Sequence, residues 1–119
     1  MTTEGTRLRI ADQDGITTVH FIDRNILDEA NIKQIGDEIS EVIDAQVQPK
    51  ILISFENVDH LSSAALGTLI TINNLVTKKD GQLRLTDIQP QIYEVFVITK
   101  LNKLFKIHES VNDGIASFS

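Results

Sequence analysis

The residues best suited to do chemistry stand together in Asn57-Val58-Asp59-His60-Leu61-Ser62-Ser63-Ala64-Ala65-Leu66-Gly67. Adjacent hydroxyls at Ser62 and Ser63 follow an aspartate and a histidine. A hydroxyl at the start of a helix can cap free backbone N–H groups. The same helix end, with a partial charge near +0.5, also tolerates an added phosphate. Either serine is therefore a candidate cap or a candidate modification site. A serine nucleophile activated by His60 is a third chemistry. It lacks a Gly-x-Ser-x-Gly elbow, and nothing marks an orienting acid or an oxyanion hole. No catalytic residue is assigned, and the chain is not read as an enzyme.

The other candidates carry less. His20 and His108 fall on predicted strands and show no metal-ligand spacing with one another or with His60. Asp12-Gln13-Asp14-Gly15 lacks the later ligands and bidentate glutamate of a calcium loop, and reads as a turn. Gly67 and Gly81 are isolated and Gly114 sits in the terminal segment, so no glycine-rich phosphate loop is present. There is no cysteine, which excludes a disulfide scaffold, a thiolate nucleophile and a cysteine zinc site. No metal or cofactor is expected.

Composition sets the class. The 119 residues carry 41% hydrophobic and 24% charged side chains, ordinary values for one globular domain, here taken as 1–119. The net charge of −6 argues against a nucleic-acid binder, which wants a basic face for phosphates. No apolar run is long enough to cross a bilayer, so no membrane insertion is expected. Met1 to Arg9 is not a signal peptide, and a cytoplasmic protein is expected. Residues 1–60 hold 12 of the 17 acids and 5 of the 11 bases, many of those acids between Asp23 and Asp44. One part of the surface should therefore be negative.

The elements that must position the serine loop follow from periodicity. Leu8 and Ile10, then Val19 and Phe21, alternate with polar residues around the Asp12–Gly15 turn and predict a β-hairpin. Ile32, Ile35, Ile39, Val42 and Ile43 give a helical stripe, with Asp28 as N-cap and Asp37, Glu38, Glu41 and Asp44 opposite. Ile51 to Phe55, after Pro49, suits a strand buried on both faces. A second helix is predicted from Ser63 to Lys79, with Leu66, Leu69, Ile70 and Val76 inward and Asn73 at the core edge. Thr71 and Asn74 should point outward, where a partner could touch them. Lys78 and Lys79 suit its negative end, and Gly81 the left-handed position that closes it.

Leu83 and Leu85 mark a strand, Pro90 opens a helix through Ile92, Val95 and Phe96, and Phe105 to Ile107 is a short strand. Ser110-Val111-Asn112-Asp113 resembles a capping box before a terminal helix. The order predicts an α/β domain: a mixed, mostly parallel sheet of about five strands with about four helices. The serine loop then lies at a strand C-terminal end, where such sheets usually meet ligands and partners. Asp23, Arg24 and Asn25 should lie beside it.

With these residues in view, the chain resembles the STAS domain family, named for sulphate transporters and anti-sigma factor antagonists, over nearly its whole length. The family's Asp-Ser-Ser-Gly-Leu-Gly-like loop stands here as Ser62-Ser63-Ala64-Ala65-Leu66-Gly67. Ile92…Val95-Phe96…Thr99-Lys100-Leu101…Phe105-Lys106-Ile107 also matches. The resemblance implies a bacterial anti-sigma factor antagonist that binds an anti-sigma factor with serine kinase activity and so frees a sigma factor. It implies phosphorylation of Ser63, with Ser62 as the alternative acceptor, and a serine phosphatase that resets the switch. Ser62, Ala64 and Ala65 depart from the family's aspartate, second hydroxyl and glycine. The implied partner surface takes in Asp23, Asn25, Asp59, His60, Leu61, Ser62, Ser63 and Ala64. A second reading keeps the fold but makes the chain an accessory subunit, as a scaffold in a stress-sensing assembly or the partner of a lipid-transport ATPase, without a phosphoswitch.

Overall fold

A computed structural model describes residues 8–118. Arg7 of the predicted hairpin, and residues 1–7 of the leading segment, lie outside them. The chain runs β1 (Leu8–Gln13), β2 (Ile16–Phe21), β3 (Asn25–Ile26), α1 (Glu29–Asp44), β4 (Lys50–Ser54), β5 (His60–Leu61) and α2 (Ser63–Lys78). It continues through β6 (Gln82–Thr86), α3 (Pro90–Ile98), a 3-10 turn (Leu101–Lys103), β7 (Lys106–His108) and α4 (Val111–Ala116). Five strands form one sheet in the order β1-β2-β4-β6-β7, with β1 antiparallel to β2 and the other pairs parallel.

Register explains the layers. Val19, Ile53 and Leu85 stand opposite one another and face α1, α2 and α3; Thr18, Leu52 and Arg84, one residue back along their strands, point to the other face. Ile51, Leu52 and Ile53 are fully buried, as their continuous apolar run requires. The main core joins these strands to Ile32, Ile35, Ile39 and Ile43 of α1 and Leu66, Leu69, Ile72 and Val76 of α2. Each such side chain contributes about 1.5–3 kcal/mol by leaving water. On the opposite face the short α4 and Phe118 cover Ile16 and Leu52. Phe118 also lies over the Arg84 guanidinium, 4.7 Å from ring centroid to Cζ, while Arg84 Nε donates to Ser117 Oγ at 2.9 Å.

Helix starts follow local chemistry. Asp28 Oδ1 accepts from the N–H groups of Ala30 and Asn31 at 2.7 and 3.4 Å, Pro90 occupies the first turn of α3, and Ser110 Oγ accepts from Asp113 N at 3.2 Å.

Three expectations are corrected. Helix α2 ends at Lys78, and the left-handed residue beyond it is Asp80 (φ 57°), not Gly81. Asp80 N and Gly81 N donate back to Thr77 O and Val76 O at 3.0 and 2.9 Å, a Schellman closure set one residue earlier than the glycine suggests. Ile70 packs against the core but stays half-buried, and the fully buried member of the α2 stripe is Ile72, which the expected inward set left out. The last strand begins at Lys106, and Phe105 instead packs edge-on to Phe96 in the core, with ring centroids 6.0 Å apart.

Lys79 also serves a different helix from the one expected. Its ammonium donates to the carbonyls of Ile43, Asp44 and Gln46 at 3.1, 2.9 and 2.7 Å, closing the C-terminal end of α1 rather than of α2. Lys79→Met keeps the apolar stem and removes the donors. It is expected to cost about 1–2 kcal/mol, read as a lower urea midpoint with unchanged slope. An unchanged midpoint would mean that water replaces the ammonium without loss.

Candidate partner-binding site at the serine loop

After β4 the chain turns through Val58, whose N–H bonds Phe55 O at 3.0 Å and whose side chain is fully buried. It then pairs with the segment that follows β2. Asn25 stands opposite His60 and Ile26 opposite Leu61, in a parallel ribbon of two two-residue strands. These strands are too short to show any periodicity in sequence. Arg24 O accepts from Asp59 N at 2.7 Å, and Ile26 O from Ser62 N at 3.1 Å. The expected neighbourhood of Asp23–Asn25 and the serine loop is therefore physical contact through the backbone. Ile26 is buried beneath the ribbon.

Asp59 ties a third segment into this frame. Its Oδ2 accepts from Arg24 Nε and its Oδ1 from Gln89 Nε2, both at 2.9 Å. Arg24's hydrogen bond holds the Asp59 carboxyl below the usual carboxylate range. Burial opposes that shift, and Gln89 and the charges of Arg24 and His60 reinforce it. Asp59 is thus ionised throughout the neutral range and bridges the β2–β3 connection to the start of α3. Gln89 is the residue before α3, and its amide serves Asp59 rather than capping the helix. Neither Arg24 nor Gln89 announced this role in sequence, since nothing in the order of residues brings positions 24, 59 and 89 together.

The two serines are in different states. Ser62 is the N-cap of α2: it has extended backbone angles, it is half-buried, and its Oγ accepts from Ala65 N at 3.2 Å. Ser63 is the first residue of the helix and is exposed, as is Ala64 beside it. Asn25 and His60 are exposed, and Asp23, Asp59, Leu61 and Ser62 are half-buried. Asn25 and Asp59 to Ala64 form one continuous surface, and Asp23 stands two residues before Asn25. Asn73 is half-buried on α2, while Thr71 and Asn74 face solvent, as their places on the helix predicted. His20 and His108 lie on β2 and β7. No cluster that could hold a metal ion occurs among the described residues. No helix among them is long and apolar enough to cross a membrane.

Sequence and structure comparisons find the same fold in known proteins. An anti-sigma F factor antagonist of Paenibacillus polymyxa is 21% identical over 84 residues, covering 71% of this chain and 72% of its own. A STAS domain protein from Planctomyces limnophilus, described as an anti-sigma-factor antagonist, superposes with a TM-score of 0.85 at 18% identity, over 94% of this chain and 98% of that one. The Bacillus cell fate determinant SpoIIAA in its phosphorylated form superposes with a TM-score of 0.71 at 16% identity, over 94% of this chain and 99% of that one. The family model for the STAS domain matches residues 7–114, and the chain belongs to the STAS domain family.

Proposed function

We propose that this chain is an anti-sigma factor antagonist. It binds an anti-sigma factor that is also a serine kinase, thereby releases a sigma factor in the cytoplasm, and loses that grip when Ser63 is phosphorylated. A serine phosphatase restores it. The observation that carries the reading is the division of labour between the two serines. Ser62 is committed to the cap, whereas Ser63 presents its hydroxyl in solvent at the first turn of α2. A phosphate placed there meets the positive end of the helix and leaves the fold intact. The role is one of binding, not catalysis. Asn25 and Asp59 to Ala64, with Asp23 behind them, form the partner face.

The test is phosphoryl transfer from a purified anti-sigma factor kinase and ATP, with the modified residue located by mass spectrometry. Phosphate is expected on the wild-type chain and on Ser62→Ala, and is expected to be lost in Ser63→Ala. Transfer to Ser62 alone, or none to either serine, overturns the assignment. The departures at Ser62 and Ala65 favour a second reading, an accessory subunit whose face binds a transporter ATPase or scaffold subunits whatever the state of Ser63.

A further inference from the structure

Lysine gathers at the end of the sheet opposite the serine loop, where the parallel strands begin and the helices finish. Lys50 and Lys106 open β4 and β7, Lys78 and Lys79 close α2, and Lys100 and Lys103 follow α3. Of the seven lysines only Lys33, in the first turn of α1, lies elsewhere. Lys79 is committed to the α1 carbonyls and Lys50 is half-buried, but Lys78, Lys100, Lys103 and Lys106 are exposed. The same end carries the two most exposed large hydrophobic side chains among the described residues, Val47 at 89% and Ile98 at 78%, with Leu104 at 45%. The segment Ile98–Lys106 holds three lysines and no acid. Asp12, Asp14, Asp44 and Asp80 also lie toward this end, the first two away at the β1–β2 edge.

Apolar side chains standing singly among lysines suit a fluid, anionic surface, which needs no pocket to match them. A rigid acidic protein surface, such as that of a second copy, would have to provide one for each. The net charge of −6 does not forbid the contact. Most of the acids stand across a molecule of 32 × 32 × 25 Å, and salt screens charge within about 8 Å, so the nearest residues decide. We propose that the lysine end rests on a bilayer containing anionic phospholipid. Val47, Ile98 and Leu104 enter the headgroup layer, and Lys78, Lys100, Lys103 and Lys106 meet the lipid phosphates. The serine loop, at the other end of the sheet, is then turned toward the aqueous side. The contact is peripheral and independent of the switch at Ser63.

The test is co-sedimentation of the full chain with vesicles of phosphatidylglycerol and phosphatidylcholine in equal parts, and with vesicles of phosphatidylcholine alone. Binding is expected to the mixed vesicles only. A lysine near an anionic bilayer is worth about fivefold in affinity, so Lys103→Glu, which also adds repulsion, should bind at least about tenfold more weakly. Ile98→Ser should lose at least about threefold. Arg9→Glu makes the same change of net charge on β1, where Arg9 pairs with His20 near the other end of the sheet, and should bind within about twofold of wild type. All three positions are exposed, and unchanged urea midpoints show that the fold is kept. No sedimentation with the mixed vesicles, or as much with phosphatidylcholine alone, overturns the proposal. So does equal weakening by Lys103→Glu and Arg9→Glu, or wild-type binding by Ile98→Ser. Self-association without vesicles that Lys103→Glu abolishes gives the lysine end to a second copy instead. A purified anti-sigma kinase, which Lys103→Glu should bind as tightly as wild type, keeps this test separate from that of Ser63.

Discussion

Ser63→Asp should weaken binding to the anti-sigma factor kinase at least about thirtyfold, whereas Ser63→Ala should bind within about threefold of wild type. The expected loss comes from the interface and not from the fold. An acid in the first turn of α2 faces the positive end of that helix, and α2 has no acidic residue there at present, so folding stability should hold or rise by about 0.3–1 kcal/mol. A partner surface shaped around a neutral hydroxyl must instead desolvate the new charge and leave it unpaired, at a cost of about 2–5 kcal/mol. Calorimetric titration against the purified kinase gives the affinity, and a urea melt of the same samples gives the stability. Undiminished binding by Ser63→Asp would sink the switch. A fall in binding matched by a fall in stability would mean that the substitution unfolds the helix instead.

Much of this site was legible because its signals are local. Asp28, Ser62, Pro90 and Ser110 each mark a helix start by chemistry within a few residues, and the structure finds a helix at each. The run Ile51–Phe55 shows its burial in composition alone, and the alternation of strand and helix fixes the mixed sheet. The parts that escaped depend on distance. Strands β3 and β5 exist only because they pair with each other, 35 residues apart. Asp59's partners come from two other connections, and Lys79's acceptors from the end of α1. The exposed side of α3 escaped for a different reason. In Ile92…Val95-Phe96 the spacing shows a helix, but not which members of a nearly all-apolar helix are left uncovered; Ile92 and Phe96 are buried while Val95 is exposed.

Gly81→Ala should lower the unfolding free energy by about 3 kcal/mol or more, although alanine is ordinarily harmless in a turn. Gly81 does not occupy the left-handed region, so the penalty is steric rather than conformational. Its N–H closes α2 on Val76 O, and the next residue, Gln82, donates to Pro49 O at 2.8 Å as β6 begins alongside β4. A methyl group at position 81 would strike that same Pro49 carbonyl oxygen and come within 2.8 and 2.9 Å of Pro49 Cγ and Cδ. Pro49 is buried and rigid, immediately before the central strand, so neither side can yield without breaking the Gln82 bond or shifting β4 against β6. Gly67 is the matched control. It is exposed inside α2, a Cβ there meets nothing within 4 Å, and Gly67→Ala should stabilise by about 0.5–1 kcal/mol. A Gly81→Ala loss below about 1 kcal/mol in urea unfolding would show that the β4–β6 entry is softer than its packing implies. Pro49 and Gly81 sit at the N-terminal ends of β4 and β6, whereas the serine loop leaves the C-terminal end of β4. The folded fraction of Gly81→Ala should therefore bind its partner with wild-type affinity, and any loss of regulation in the cell should track protein abundance alone.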